Sequence, residues 1–418
     1  MVRIDTLRSE AINCLTENIL PFWLNNMRDH NRGGWYGQMT GHGELVKNAP
    51  RSAVLYARLL WTFAAAYRVL GSMESKEHIL PSLLQAATKT KDYILQHFID
   101  KEQGGVYWSV TADGKPLDSK KQFYAIAFMI YGFSEYARAT GDRSSLQTAV
   151  ELFKVIELYG WDATHNGYIE ACMRNWQPIS DMRLSTKDEN YPKSQNTHLH
   201  ILESYTNLYR VLDELRCKKD LDADYDSIVD SLYSRLKTLI TLFTDRILNP
   251  KTHHLDLFFD MDWRRKSTTA SYGHDIECSW LLHEASLVLD DEHLLSHTES
   301  IVRDVAQAGA EGLRMDGSMV YESDDEDRHW WVQAEAVVGF FNLYQHFDDE
   351  AALKKALNLW KYIKVHLIDY EHGEWYWSVR ADGSVNLDED HAGFWKCPYH
   401  NARMCLEIIQ RTATLSHK

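Results

Sequence analysis

Apolar positions along this chain fall into two kinds of helical stretch that alternate. The first is apolar nearly all round: AVLYARLLWTFAAAYRVLG ending at Gly71, FYAIAFMIYGFSEYARATG ending at Gly141, LHILESYTNLYRVL, CSWLLHEASLVL, WWVQAEAVVGFFNLY and ARMCLEIIQ. A helix without a polar face must be buried on all sides. Gly71 and Gly141 read as C-caps. The second kind, as in Leu146 to Leu158, Tyr225 to Leu248 and Ala351 to Leu367, has one apolar stripe opposite a charged face and should lie outside. Gly-containing aromatic segments separate the helices: NRGGWYGQM from Asn31, EQGGVYWSVTADGKPLD from Glu102, THNGYIEACM from Thr164, THHLDLFFDMDW from Thr252, GAEGLRMDGSMV from Gly309 and EHGEWYWSVRADGSVNLD from Glu371. They read as hairpins or extended loops. The second and last match closely, whereas the fourth lacks glycine.

These segments recur roughly every 60 to 85 residues, the period of a repeat architecture. Six buried helices alternating with six amphipathic ones close into a double ring, so the expected fold is an all-α (α/α)6 barrel with the loops forming a mouth at one end. An open solenoid would need polar capping repeats at both ends, and none is visible. No Pro/Gly/Ser-rich linker divides the 418 residues. A single catalytic domain spanning residues 1–418 is therefore expected.

Composition narrows the classes of partner. A formal charge of −15 without a basic block argues against nucleic acid. The N-terminus alternates charged and apolar residues, unlike a signal peptide, and no long uninterrupted apolar run marks a membrane span. The six cysteines are scattered without a C-x-x-C pair and read as reduced thiols. A cytoplasmic protein, monomeric or weakly dimeric, is expected.

The candidate chemistry starts with SYGHDIECSWLL from Ser271, where His274 and Glu277 stand three residues apart and so share a helix face. A histidine beside a carboxylate can move a proton near neutral pH. Taken alone, the pair is equally readable as a satisfied core histidine. Arg58, Tyr124, His200, Trp331 with Glu335, and His400 fall at a similar phase of the other buried helices, at or near their beginnings. Ionisable groups in apolar helices are costly unless paired or used. Six sets from the same end of six helices converge on the mouth.

Metal binding competes for these residues, but no H-E-x-x-H or other compact ligand pair occurs, and His198 and His200 diverge on a helix. Glycoside hydrolysis could use Glu277 and Glu335, although it does not require three histidines. Nucleophilic catalysis lacks a G-x-S-x-G elbow, and Cys397 has no base near it in sequence. Loop aromatics (Trp35, Tyr36, Tyr107, Trp108, Trp330, Trp331, Trp375, Tyr376, Trp377, Trp395) fit a sugar, whose C–H faces stack on flat rings.

From about Pro21 to Arg411 the chain closely resembles the cellobiose 2-epimerases of the N-acylglucosamine 2-epimerase superfamily. The resemblance rests on RLLWTFAAAYR around Arg58, KSQNTHLHILESYTNLY around His200, SYGHDIECSWLL, WWVQAEAVVGF around Glu335, and WKCPYHNARM around His400. Cys278 and Ala125 are small departures. The resemblance implies an (α/α)6 barrel acting on the reducing end of a disaccharide without metal or other cofactor. It implies His274 and His400 as two acid/bases flanking C2, both titrating near neutral pH, with Glu277 orienting His274. Arg58, His200 and Tyr124 would stabilise the enediolate oxygens. Asn196 and Glu335 would hold sugar hydroxyls or assist ring opening, and Trp331 and Trp395 would stack on the rings. The expected product is the mannose-terminated disaccharide, with cellobiose, mannobiose and lactose all open as substrates. Mouth loops such as His165 to Pro192 and Glu322 to His329 are expected to choose among them. An aldose–ketose isomerase acting on a monosaccharide such as mannose, and a non-catalytic sugar-binding regulator, remain the alternatives.

Overall fold

The computed structural model describes residues 2–415. The outer series opens with α1 (Val2–Asn13), which runs through a π turn, Cys14–Ile19, into α2 (Leu20–Asn26). Helices then alternate between two rings. The inner ring holds α3 (Ala53–Leu70), α5 (Phe123–Thr140), α7 (Gln195–Cys217), α9 (Tyr272–Leu289), α11 (Trp330–Phe347) and α13 (Tyr399–Leu415). The outer ring adds α4 (Leu80–His97), α6 (Arg143–Tyr159), α8 (Asp226–Leu242), α10 (Glu292–Gly309) and α12 (Glu350–Tyr362). Each inner helix packs on the next, and α13 packs on both α3 and α1, which closes the circle. Helix α3 is apolar enough to cross a membrane by length and composition, yet lies buried within the inner ring. The expected double ring is what the helices form.

Gly141 ends α5 with φ 78°, the left-handed cap foreseen for it, whereas Gly71 ends α3 with φ −62° and stays right-handed. The connections are knitted to one another more than folded into separate hairpins. Two-residue strands lead into four inner helices: β1 (Arg51–Ser52), β4 (Lys121–Gln122), β6 (Lys193–Ser194) and β8 (Arg328–His329). Each pairs antiparallel with a strand of the following connection, namely β2 (Ser109–Val110), β5 (Ala171–Cys172), β7 (Phe258–Phe259) and β9 (Ser378–Val379). Only β2, pairing with β3 (Pro116–Asp118) across Asp113-Gly114, forms a hairpin of named strands.

A tight turn follows α2, α4, α6, α8 and α12, closed by single bridges such as Arg28 to Trp35, Ile99 to Val106 and Leu248 to Leu255. Its fifth residue needs a left-handed backbone, supplied by Gly33, Gly104 and Gly373. In the segment without glycine, His253 takes φ 60° at the same position, so the turn survives with the strain a side chain brings there. Buried cations preceding the inner helices lock three of these turns: Arg51 with Asp29 at 2.6 Å, Lys121 with Asp100 at 2.8 Å and Lys193 with Asp162 at 2.8 Å.

Candidate active site

At the mouth end lies a cavity of about 470 Å³ bordered by Arg58, Tyr124, Asn196, His200, His274, Glu277, Trp331, Trp395 and His400. These are all of the candidate residues except Glu335. Both loops expected to shape the mouth contribute, through Leu184 to Asp188 and through Asp325, Asp327 and His329, with Tyr321 just before the second. A second cavity, of about 310 Å³, sits at the other end of the inner helices, where guanidiniums are matched by carboxylates, as in Arg68–Glu135 and Arg210–Glu284.

Helix geometry delivers the three histidines. Each sits in the first turns of an inner helix: His200 on α7, His274 on α9 and His400 on α13. Three residues further on, α7 carries Glu203, α9 Glu277 and α13 Arg403, each on the same helix face as its histidine. Glu203 Oε2 is 2.9 Å from His200 Nδ1. Arg403 is the hub of the floor. Its guanidinium donates to Glu277 at 2.6 Å, to Glu335 at 2.5 Å and to Glu203, while stacking on Tyr399 and Trp280. Arg58 donates to the Tyr124 hydroxyl at 2.8 Å and lies over the rings of Phe128 and Tyr399.

Two assignments change. Glu277 does not orient His274: its carboxylate is turned to Arg403 and stands 3.9 Å from His400 Nδ1, while His274 Nδ1 is bonded to Ser271 Oγ at 2.8 Å. Glu335 does not face the cavity to hold sugar hydroxyls. It lies beneath His400, with Oε1 2.7 Å from His400 Nδ1, and accepts from Trp280 Nε1 at 3.0 Å. Spacing within one helix foresaw neither, because both partners of each carboxylate come from a different helix.

The expectation that both acid/base histidines titrate near neutral pH also fails. Burial, and then the charge of His200, pushes His274 down to about 3. Burial pushes His200 down to about 4 against the pull of Glu203. His400 is lowered well below the ordinary imidazole range by burial and by Arg58 and Arg403. The resting imidazoles are neutral. Burial raises the proton affinity of both Glu277 and Glu335, helped at Glu277 by the charges of Glu335 and Glu203 and at Glu335 by that of Glu203. Arg403 alone is bonded to all three carboxyls, of Glu203, Glu277 and Glu335, while the buried guanidinium of Arg58 is held by Tyr124.

Donor atoms of Glu277, Glu335 and His400 lie within 4.8 Å of one another, a set that would suit a divalent cation if it stood alone. Arg403, bonded to both carboxyls, already supplies the positive charge there. The loop aromatics divide by depth. Trp330, Trp331, Trp377 and Trp395 border the cavity, whereas Trp35 and Trp375 are core residues. The Trp331 ring is 4.9 Å from that of His274 and 5.5 Å from that of His400. Asn196 borders the cavity with its Oδ1 buried and unpartnered.

Arg403 and Glu203 are the functional residues that sequence reasoning missed. The signal was present, because both repeat the three-residue spacing from a histidine that drew attention to Glu277.

The chain matches the family model described as N-acylglucosamine 2-epimerase over residues 34–403. It is 51% identical over 411 residues to a cellobiose 2-epimerase of Bacteroides fragilis, covering 97% of this chain and 99% of that one. A cellobiose 2-epimerase of Ruminococcus albus is 39% identical, with 96% and 98% covered. The solved structure of the cellobiose 2-epimerase from Bacillus thermoamylovorans B4167 superposes with a TM-score of 0.88 at 38% identity, covering 97% of this chain and 100% of that one. With a double ring of helices and a histidine-lined mouth, and with this breadth of similarity, the chain belongs to the N-acylglucosamine 2-epimerase family.

Proposed function

We propose that this enzyme inverts C2 of the reducing-end glucose of a β-1,4-linked disaccharide, cellobiose foremost, giving the mannose-terminated product. The observation that carries this reading is the pair of imidazoles, His274 and His400, bordering one cavity with both rings close to that of Trp331. Two bases are of no use to a protein that only binds sugar. Epimerisation at C2 needs a base to take a proton from one face of the opened aldehyde and an acid to return one to the other.

The scheme follows the charges of the floor. With the ring open, His274 takes the C2 proton, and the C–H electron pair moves into a C1–C2 double bond as O1 becomes anionic. Arg58, with the Tyr124 hydroxyl it orients, stabilises that oxyanion, the kind of fixed electrostatic help that often dominates catalysis. His400, resupplied by a proton from the Glu277 and Glu335 pair, gives its proton to the opposite face of C2. The C1–C2 π pair forms the new C–H bond as O1 re-forms the aldehyde carbonyl, and the proton taken earlier leaves His274 for solvent. Trp331 and Trp395 stack on the rings, and Asn196 meets a hydroxyl.

Turnover of cellobiose in deuterated water, followed by NMR, tests the reading. The expected product has mannose at the reducing end with deuterium at C2, and His274→Asn and His400→Ala each lower kcat by at least about 100-fold with unchanged circular dichroism. Product without deuterium, or turnover retained in either variant, rejects the two-base scheme. Glucose, mannose, lactose and mannobiose assayed in parallel define the substrate, and ketose as the main product would reassign the enzyme as an isomerase.

A further inference from the structure

Three inner helices, α3, α7 and α9, are each preceded by a serine: Ser52, Ser194 and Ser271. Two of them do what a serine does at that position. Ser52 Oγ accepts from Leu55 N at 2.9 Å, and Ser194 Oγ accepts from Thr197 N at 3.1 Å. Ser271, equally extended in backbone and equally buried, makes no such cap and is turned instead to His274 Nδ1 at 2.8 Å. Giving up an N-cap costs a helix about 1 kcal/mol. Its diversion towards an imidazole at the mouth of a cavity calls for a chemical reason.

Behind Ser271 stands a second polar group. Residues 270–271 are stitched to residues 322–323 by an antiparallel bridge between Ser271 and Glu322, with Ser323 N donating to Ala270 O at 2.9 Å and Ala270 N donating to Ser323 Oγ at 3.1 Å. Residues opposite one another in such a bridge carry their side chains on one face, so Glu322 stands beside Ser271, whose hydroxyl lowers the proton affinity of the Glu322 carboxyl. The result is a chain from carboxyl to hydroxyl to imidazole, ending on His274, whose remaining nitrogen, Nε2, is the one free for the cavity.

We propose that Glu322, acting through Ser271, is a positioning residue that holds His274 with its proton on Nδ1, so that Nε2 presents a bare lone pair to C2 and the imidazolium formed there is steadied by the carboxylate. A hydroxyl carries one proton and can direct it only one way. When it donates to a carboxylate it must accept from the imidazole, and Nδ1 is then the protonated nitrogen. When Nε2 takes the C2 proton, the ring becomes cationic, Nδ1–H stays on Ser271, and the charge of Glu322 is felt through the hydroxyl. Orienting partners of this kind typically contribute about 10- to 100-fold. The groups facing Glu322 are Tyr321, Asp324 and Asp325 on its own segment and Ser271 on the facing one. Burial first, and then Asp324, push its carboxyl up to about 7 against the hydrogen bonds of Tyr321 and Ser271. The relay is therefore complete above that pH and lost below it.

This inference rests on His274 being a base, as proposed above, but its first test does not need turnover. Protein labelled with ¹⁵N-histidine gives ring resonances that distinguish the two tautomers, with the His274 signals assigned by their loss in His274→Asn. The expected wild-type state is Nδ1–H with bare Nε2, changing to a mixture or to Nε2–H in Ser271→Ala. Glu322→Gln keeps an acceptor for the serine, so the tautomer stays. Its kcat on cellobiose falls about 10-fold with KM within about twofold, the acidic limb of the kcat profile near pH 7 disappears, and Glu322→Asp restores most of the loss. A proton on Nε2 in the wild type, an unchanged tautomer in Ser271→Ala, or a wild-type pH profile in Glu322→Gln would each overturn the proposal. Absence of epimerisation on every sugar would sink the functional reading, while the tautomer measurement still decides this one.

Discussion

Arg403 shows how much of this site hangs on one side chain. It is 1% exposed and pairs with Glu203, Glu277 and Glu335, which are themselves almost fully buried. Burial raises the cost of charge on Glu203, yet Arg403, His200 and Tyr399 together hold its carboxyl down at about 2. Removing the guanidinium leaves buried carboxylates without their cation, a change that costs about 3 to 5 kcal/mol when one partner of a buried pair is deleted. Arg403→Met should therefore lower stability at pH 7 by that amount in urea unfolding. Because Glu203 is ionised in the wild type well below the pH at which an unfolded carboxyl protonates, the benefit it draws from Arg403 is present above about pH 4.5 and fades as pH falls towards 2. The penalty of the variant should shrink on the same descent, and a penalty independent of pH would show that the hub acts by packing alone. Methionine is similar in length, so the difference reads charge more than volume.

At the scale of elements, the junction before α7 carries a titration of its own. Glu170, in the connection between α6 and α7, accepts from Ser194 N at 2.8 Å and from Thr197 Oγ1 at 2.6 Å. Burial outweighs these hydrogen bonds and pushes its carboxyl up to about 7 from an ordinary 4.5. A carboxyl whose folded pKa is raised binds its proton more tightly in the native state, so its contribution is full below about 4.5 and lost as pH rises to 7. That interval corresponds to about 3 kcal/mol. Thermal unfolding between pH 4.5 and 7.5 should show this decline in the wild type and a flatter profile in Glu170→Gln, and identical slopes would remove Glu170 as the cause. Elements were also what the sequence told best. The six inner helices, the outer stripes and seven of the cavity residues (Arg58, Tyr124, His200, His274, Glu277, Trp331 and His400) could be read from periodicity and phase, whereas Trp395 stood out only as a loop aromatic and Asn196 only through the family resemblance. A helix apolar all round announces its burial, and a polar residue at its start stands out against it. The rest was hidden because it depends on pairs far apart in the chain: His400 with Glu335, Glu322 with Ser271, Arg51 with Asp29. No spacing within one helix reports on a neighbour across the ring, and spacing misled where it was trusted, in joining Glu277 to His274.

For the whole molecule, the decisive property is the sign of charge around the entrance. The chain carries a formal −15, and the cavity rim includes Asp188, Asp325, Asp327 and Glu389. Lys187 also borders the opening, but it is paired with Glu389 at 3.1 Å. Below the rim the charge is mixed: Arg58 borders the cavity, and Arg403 beneath it is matched by the carboxyls of Glu203, Glu277 and Glu335. In the proposed orientation the reducing end is the deep end, so a neutral disaccharide passes the rim without electrostatic cost and its opened, anionic form is stabilised by Arg58. A sugar whose non-reducing unit bears a charge would place that charge among the rim carboxylates. Unit charges near a protein surface interact by a few kcal/mol at contact and less beyond it, with salt screening the interaction over about 8 Å. KM for β-1,4-linked glucuronosyl-glucose should therefore exceed that for cellobiose by about 10-fold at low salt, a repulsion of about 1.4 kcal/mol, and the ratio should fall towards one at about 0.5 M salt as screening shortens. The KM for cellobiose should stay flat across the same range. Equal KM values for the two sugars at low salt would show that the rim carboxylates are compensated, or that the reducing end does not point inward.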